Sequence, residues 1–450
     1  MINGFNIFLI ILYFLIVLYI GIKASKREGD EDYLLANRNV GFFVLTATFV
    51  ASIVGGNFIV TTMAFVFEYG VAVVWSGVGT LLGFTALAFM APKIKRLADK
   101  YKFYTIPDFL YQKYGKEVSI IASLIIFIGF MGFLLIQFIA GGIVLSAITG
   151  WSYIFSVLLM GIVVTAYLAA AGFKAVIRTD VFQYIIILFL VVFAVIFLTK
   201  AGTINIENLQ LFSGGSVNTF ALVLYGFVLT FIGADMWQRL YAGKNVKTVK
   251  KSAILAGIIV LVLLTFLVFM GLAVQSKFPN IVPETALVVG FTNFLPNYLI
   301  GFGLVILFAA IMSSLDTFIF VLSTSFSKDF LGKFERFSKH DLVKVTRIFA
   351  VLIGVMGMLL AFYLSSVVQV LIPLAGIYFT LFPVIIFSIK YNLKKKAAIL
   401  SLVGGFISAI IALFTMGISI ESALIGFPMA FLFLGIGQLI FKKKDIVVTK

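Results

Sequence analysis

Long apolar runs, each separated from the next by a short polar or charged connection, repeat along the whole 450-residue chain. Thirteen lie at about 6–22, 42–66, 71–91, 119–147, 153–171, 180–200, 217–237, 252–274, 298–322, 344–363, 366–389, 397–416 and 421–441. Runs of about 17 to 25 residues match the helical length needed to cross a hydrocarbon layer of roughly 30 Å. They lack the short, alternating segments of a membrane β-barrel, so the pattern predicts helices. The expected fold is an all-α integral membrane protein of about 13 transmembrane helices, with no soluble domain left over.

Composition agrees with that solvent. Hydrophobic residues make up 62% of the chain and charged ones 12%, with a mean hydropathy of +1.17, more apolar surface than one water-soluble core of this size can hide. The first run resembles a secretion signal in length only. Met1–Asn6 carries no positive charge and no small-residue cleavage site precedes Lys23, so a retained span is expected.

The net charge of +16 is distributed by topology. With the N-terminus outside, the inner connections are 23–40, 92–118, 172–179, 238–251, 327–347, 390–396 and the tail from Lys442; they hold 32 of the 34 basic residues, leaving Lys200 and Lys277 outside. That asymmetry predicts an outer N-terminus and an inner C-terminus. A nucleic-acid binder would gather its basic residues on one folded face; these sit in short loops, where contact with anionic lipid headgroups accounts for them. No obligatory protein partner is evident.

The chain has no cysteine and a single histidine, His340, in the loop "FSKHDLVK". Thiolate chemistry, disulfides, a histidine triad and a multi-histidine zinc site are thereby excluded within one chain. His340 reads as a solvated loop residue.

Polar residues inside the spans carry the remaining chemistry. In "AAIMSSLDTFIF", Ala309 to Phe320, the positions Ala310, Ser313, Ser314 and Thr317 fall at i, i+3, i+4 and i+7, one face of one helix. That face offers hydroxyl and carbonyl oxygens to a hard cation such as sodium, and Asp316 adds a carboxylate on its flank. An acid at mid-membrane costs at least a few kcal/mol, so it reads as functional; a helix–helix hydrogen bond is the competing explanation. A second wall is available in "TFVASIVGGNFIVTTMAF", where Gly55, Gly56 and Asn57 interrupt the second span. A break there frees carbonyls from about Val50 to Ile53 and points a half-helix N-terminus at the gap. Close packing through small residues is the alternative.

Two further acids stand near span ends. Asp180, in "GFKAVIRTDVFQ", follows Arg178 closely enough for an ion pair or a helix N-cap. Asp235, in "FIGADMWQRLYAGKN", precedes Arg239 by four residues, the spacing of a pair on one helix face. Glu68 and Tyr69, before Gly70, read as an outer loop.

Four stretches, "DEDYLLANRNVGFFVLTATFVASIVGGNFIVTTMAFVFEYG", "GFKAVIRTDVFQ", "DMWQRLYAGKNVKTVKKS" and "SSLDTFIFVLSTSFSKDF", resemble in order and spacing the sodium:solute symporter family, which includes bacterial sodium/proline and sodium/galactose symporters. The likeness covers spans one to eleven. It implies two five-span repeats of opposite orientation, each opening on a helix unwound at the substrate: residues 42–200 and 201–390, preceded by the first span and its loop at 1–41 and followed by two peripheral helices and a basic tail at 391–450.

Carried over by position, the family's sodium site falls on the carbonyls of Val50, Ile53 and Ala310 and the hydroxyls of Ser313 and Ser314. Asp180 matches a position on sodium's inward route. Gly55, Gly56, Asn57, Asp235 and Trp237 match the substrate region, with Asp316 and Thr317 as polar support. Gly233-Ala234-Asp235 departs from the family's sugar and proline carriers. The resemblance thus implies a cell-membrane symporter with sodium as coupling ion, importing a small organic solute such as proline by alternating access. A proton-coupled carrier on the same fold is the alternative, a membrane enzyme a distant one, and sequence leaves a continuous passive pore open.

Overall fold

The computed structural model describes residues 4–24, 29–202, 209–213, 215–331, 341–364 and 367–441. His340 and the basic tail from Lys442 lie outside them. Among the described residues the structure is helical, with no β-strand beyond one isolated bridge.

The helices in chain order are α1 (Gly4–Lys23), α2 (Asp30–Leu35), α3 (Phe42–Ile53), α4 (Gly56–Tyr69), α5 (Val74–Tyr101), α6 (Ile106–Tyr114), α7 (Lys116–Thr149), α8 (Tyr153–Ala201) and α9 (Gly215–Ile232). There follow α10 (Ala234–Ala242), α11 (Val246–Lys277), α12 (Ala286–Phe294), α13 (Asn297–Thr324), α14 (Leu342–Ala361), α15 (Val367–Phe379), α16 (Phe382–Lys390), α17 (Lys395–Met416) and α18 (Ile420–Ile440). Eleven helical stretches among the described residues are long and apolar enough to cross a membrane, and Phe42–Ile53 and Tyr153–Ala169 are shorter apolar helices.

Local sequence explains the boundaries. Asn245 caps α11 by accepting a hydrogen bond from the Thr248 N–H at 2.9 Å, and Ser152 caps α8 through the Phe155 N–H at 3.2 Å. Thr105 and Asp108 form a reciprocal capping box on α6. α8 turns at Gly172, whose φ of +57° favours glycine, and the ring of Tyr33 fills the space a Cβ would need. The outer loop expected at Glu68 and Tyr69 is instead the last turn of α4, which stops at Gly70.

α13 is the central helix. Within its most apolar window 89% of residues are buried, against 28% for α18. It packs on α3, α4, α7, α8 and α14, whereas α17 and α18 pack chiefly on each other. Exposed leucines, isoleucines and phenylalanines on α1, α8, α14 and α18 form the apolar outer surface expected of a lipid-facing belt.

Three spans are interrupted. α3 gives way to α4 at Val54–Gly55, α9 to α10 at Gly233, and α15 to α16 at Thr380–Leu381. The first two are tied together: the Val40 N–H donates to the Ala242 carbonyl at 3.0 Å and the Lys244 N–H donates to the Val40 carbonyl at 2.9 Å. The entry to one broken helix is thereby clamped to the exit of the other.

Candidate functional site

The break in the second span brings the end of α3 against α13. The hydroxyl of Ser313 donates to the Ala51 carbonyl at 2.7 Å, and that of Ser314 to the Ser52 carbonyl at 3.1 Å. Ser313 also lies 2.9 Å from the Ala310 carbonyl. Val50 and Ile53 flank this contact; their carbonyls accept from the Val54 and Gly55 N–H groups at 2.8 and 2.9 Å, and each keeps a second lone pair. The Ala51 and Ser52 carbonyls of α3 and the Ser313 and Ser314 hydroxyls of α13 therefore meet in a buried seam.

Gly55 and Gly56 have both of the roles the sequence left open. The helix breaks at Gly55, and a Cβ there would collide with the Ser314 hydroxyl; one on Gly56 would collide with Ile311. The small residues admit α13 to the exposed carbonyls, so break and close packing are one device.

The polar face of α13 divides among three neighbours. Ser313 and Ser314 meet α3. Asp316 turns to α8, where the Tyr167 hydroxyl donates to its Oδ2 at 2.6 Å and Thr179 Oγ1 lies 3.2 Å away. Thr317 accepts from Arg239 Nη2 at 2.8 Å and gives its own proton to the Ser313 carbonyl at 2.9 Å.

Arg239 organises the acids. Its Nη2 lies 3.1 Å from Asp180 Oδ2, its Nη1 3.9 Å from Asp235 Oδ2, and its Nε donates to the Thr48 carbonyl at 2.9 Å. Thr48 in turn donates to Asp180, and Ser52 to Asp235. The ion pair suggested for Asp180 with Arg178 is replaced by this one: Arg178 is exposed, and Asp180 sits eight residues beyond the Gly172 turn, well inside the helix instead of at its cap. The spacing of Asp235 with Arg239 does put them on one face, as expected.

A cavity of about 120 Å³ opens between the two broken helices. Asn57 in the first turn of α4 and Asp235 in the first turn of α10 both line it, with Ile53, Gln137, Tyr225 and Tyr378. Trp237 does not. Its indole N–H donates to the Phe231 carbonyl at 2.8 Å and its ring packs on Phe109 at 5.5 Å between centroids.

Gln137 and Tyr378 escaped sequence reasoning. Gln137 Oε1 accepts from the Asn57 N–H at 3.2 Å, supporting the free end of α4. The Tyr378 hydroxyl donates to the Ile232 carbonyl at 2.8 Å and accepts from the Ala234 N–H at 3.1 Å, stitching the break between α9 and α10. Gln137 is the one amide in the apolar run 119–147, a signal that was legible. A tyrosine in "LAGIYFTLFPV" gives no comparable sign.

A model of the sodium:solute symporter family matches residues 33–405, which is most of the chain and includes both breaks and every site residue named above. The chain belongs to the sodium:solute symporter family. It is 28% identical over 389 residues to the osmoregulated proline transporter OpuE of Bacillus subtilis (strain 168), covering 81% of this chain and 79% of that protein. It is 26% identical over 437 residues to a sodium/proline symporter of Staphylococcus aureus (strain bovine RF122 / ET3-1), covering 90% and 85%.

Among solved structures, the fold superposes on a sodium-coupled sialic acid symporter in a substrate-bound, outward-open state with a TM-score of 0.84 and 17% identity, over 99% of this chain and 100% of that one. A nucleobase-cation-symport-1 family transporter in a closed conformation aligns with a TM-score of 0.58 and 13% identity, over 91% and 96%. This symporter-family chain is a multi-pass membrane transporter, not an enzyme.

Proposed function

We propose that the protein is a sodium-coupled symporter that imports a small organic solute, an amino acid such as proline being favoured, by alternating access. The observation that carries this reading is the seam in which Ser313 and Ser314 meet the carbonyls at the broken end of α3. Hard cations take oxygen ligands. Sodium held by the carbonyls of Val50, Ile53 and Ala310 and the hydroxyls of Ser313 and Ser314 would replace the direct hydrogen bonds across that seam and fix the spacing of the two helices.

The solute cavity adjoins the seam, because Ser52 and Ile53 belong to its lining. Sodium binding thus bears on solute affinity through one shared strand of backbone, and linkage makes the effect mutual. Asp180, wholly buried and held by Thr48 and Arg239, is assigned to the ion's inward path; Asp316 and Thr317 support it. The neighbours' names agree with sodium and proline, and the superposition on two symporters agrees with a fold that alternates.

The topology follows the same reading. Splitting Gly56–Tyr101 at Gly70 and α8 at Gly172, and joining each pair of half-helices, gives 13 spans, with two repeats at 42–200 and 201–390 and the N-terminus outside.

A proton-coupled carrier is the second reading, and one side chain favours it. Asp316 Oδ2 accepts from the Tyr167 hydroxyl at 2.6 Å and from the Thr179 hydroxyl at 3.2 Å, and among the described residues no basic side chain pairs with this buried carboxylate, which leaves it free to take a coupling proton. Thermal stability of the purified protein in NaCl against KCl, at equal ionic strength, separates the two. A sodium-specific rise abolished by Ser313→Ala and by Ser314→Ala is expected. No sodium effect, with a pH-dependent shift lost in Asp316→Asn, would replace sodium with protons.

A further inference from the structure

The cavity between the half-helices has a one-sided electrostatic character. Among the described residues, none of its lining side chains is basic, and one, Asp235, is acidic. The Asp235 side chain is 7% exposed. Its Oδ2 accepts a hydrogen bond from the Ser52 hydroxyl and lies 3.9 Å from Arg239 Nη1, while the same guanidinium is 3.1 Å from Asp180. Arg239 is thus shared, with the closer contact given to Asp180. One guanidinium serves two carboxylates, and Asp316 beside them has no cation within ion-pair distance among the described residues.

The wall next to Asp235 is aromatic. Phe130 lies 5.5 Å from both Phe318 and Tyr378, and Phe133 lies 6.0 Å from the same two rings, between centroids. All four line the cavity. Tyr378 is bonded to the Ala234 N–H, which places the ring cluster beside the residue preceding Asp235. Ring faces attract an organic cation through their quadrupole, more strongly where the site is desolvated. A buried carboxylate with only a distant share of one guanidinium gains from a second cation. A solute carboxylate brought alone to the same place would meet like charge and no basic group.

We propose that the transported solute carries a cationic amine, held by the Asp235 carboxylate against the rings of Phe130, Phe133, Phe318 and Tyr378, and that this side chain sets the preference against net-anionic and amine-free solutes. The assignment rests on the reading of the cavity as the solute site. It names a chemical class: amino acids, imino acids and methylated amines belong to it, sugars and simple carboxylates do not.

The test uses the full-length wild-type protein in NaCl. Thermal midpoints are measured with L-proline, glycine betaine and choline, and with D-galactose and L-lactate, each amine probe beside an amine-free carbon analogue: cyclopentanecarboxylate for proline, 3,3-dimethylbutanoate for glycine betaine and 3,3-dimethylbutanol for choline. The expected result is a saturable rise with at least one amine probe, none with its analogue, none with galactose or lactate, and affinity weakened at least about tenfold in Asp235→Asn.

Equal shifts from an analogue, a shift from galactose or lactate, or no shift from any amine probe would overturn the proposal. The wild-type comparison of each amine with its analogue decides the matter even where Asp235→Asn fails to fold. The solute-free NaCl and KCl midpoints report separately on sodium coupling: an amine-specific rise without a sodium effect keeps this assignment and removes sodium, and a sodium effect without amine selectivity does the reverse.

Discussion

Arg239 is wholly buried, and among the described residues it is the one cation paired with Asp180 and Asp235. Its planar fork reaches Thr48 from Nε and both Asp180 and Thr317 from Nη2, a pattern a single ammonium cannot reproduce. Removing it leaves buried carboxylates without their partner, which costs about 3 to 5 kcal/mol in comparable cases. Arg239→Met is therefore expected to lower the thermal midpoint sharply, and Arg239→Lys to recover only part of the loss. Adding Asp180→Asn to Arg239→Met should restore stability relative to the single variant, because it removes the stranded charge. Equal midpoints for wild type and Arg239→Met in detergent would show that the network does not hold the bundle. At this scale the sequence revealed the acids and the pairing of Asp235 with Arg239, but not that Asp180 shares the same guanidinium. Asp180 and Arg239 are 59 positions apart, and nothing in local spacing distinguishes that pairing from the nearer Arg178.

The broken helices are the elements on which the site depends, and each is held open by a polar side chain from elsewhere. Gln137 supports the start of α4; Tyr378 bridges Ile232 and Ala234. A half-helix end inside a membrane has no water to satisfy it, so irregular backbone persists only where protein groups take its hydrogen bonds. Tyr378→Phe keeps the ring and deletes both bonds, leaving a buried carbonyl and N–H without that partner at a cost of about 1 to 3 kcal/mol. The expected phenotype is a lower thermal midpoint with a larger loss of solute affinity than of expression, read by solute titration. Unchanged affinity would mean that Gly233 holds its conformation without the tyrosine. The first break was legible because two consecutive glycines precede Asn57. The second was implied by resemblance alone, since Gly233 is a lone glycine in an apolar run, and its stabiliser is 144 positions away. Trp237, matched to the substrate region by resemblance, does not line the cavity, because helical rotation turns it toward Phe109 and Tyr241.

For the whole molecule, the charge pattern makes a prediction that the helix packing alone does not. Helix packing alone assigns neither end of the bundle to the cytoplasm, whereas Lys and Arg in short loops are retained on the cytoplasmic side. Lys200, at the end of α8, and Lys277, at the end of α11, are exposed and stand apart from the other 32 basic residues, which fall in connections of the opposite parity. Parity is what the 13-span reading needs: counting α3 with α4 and α9 with α10 as single spans, and dividing α8 at Gly172, places Lys200 and Lys277 on one face and Lys247 on the other. Counting α9 and α10 as two spans would put Lys200 and Lys277 on different faces, whereas splitting α3 from α4 or treating α8 as one span would invert all three lysines together. The chain has no cysteine, so single-cysteine variants are available without a background to remove. In intact cells, Lys200→Cys and Lys277→Cys are expected to react with a membrane-impermeant thiol reagent, and Lys247→Cys to react only after the membrane is permeabilised. Labelling of Lys247→Cys from outside would invert the protein. Labelling of only one of Lys200→Cys and Lys277→Cys would break the parity between α8 and α11, and with it the division of 42–200 and 201–390 into two five-span repeats.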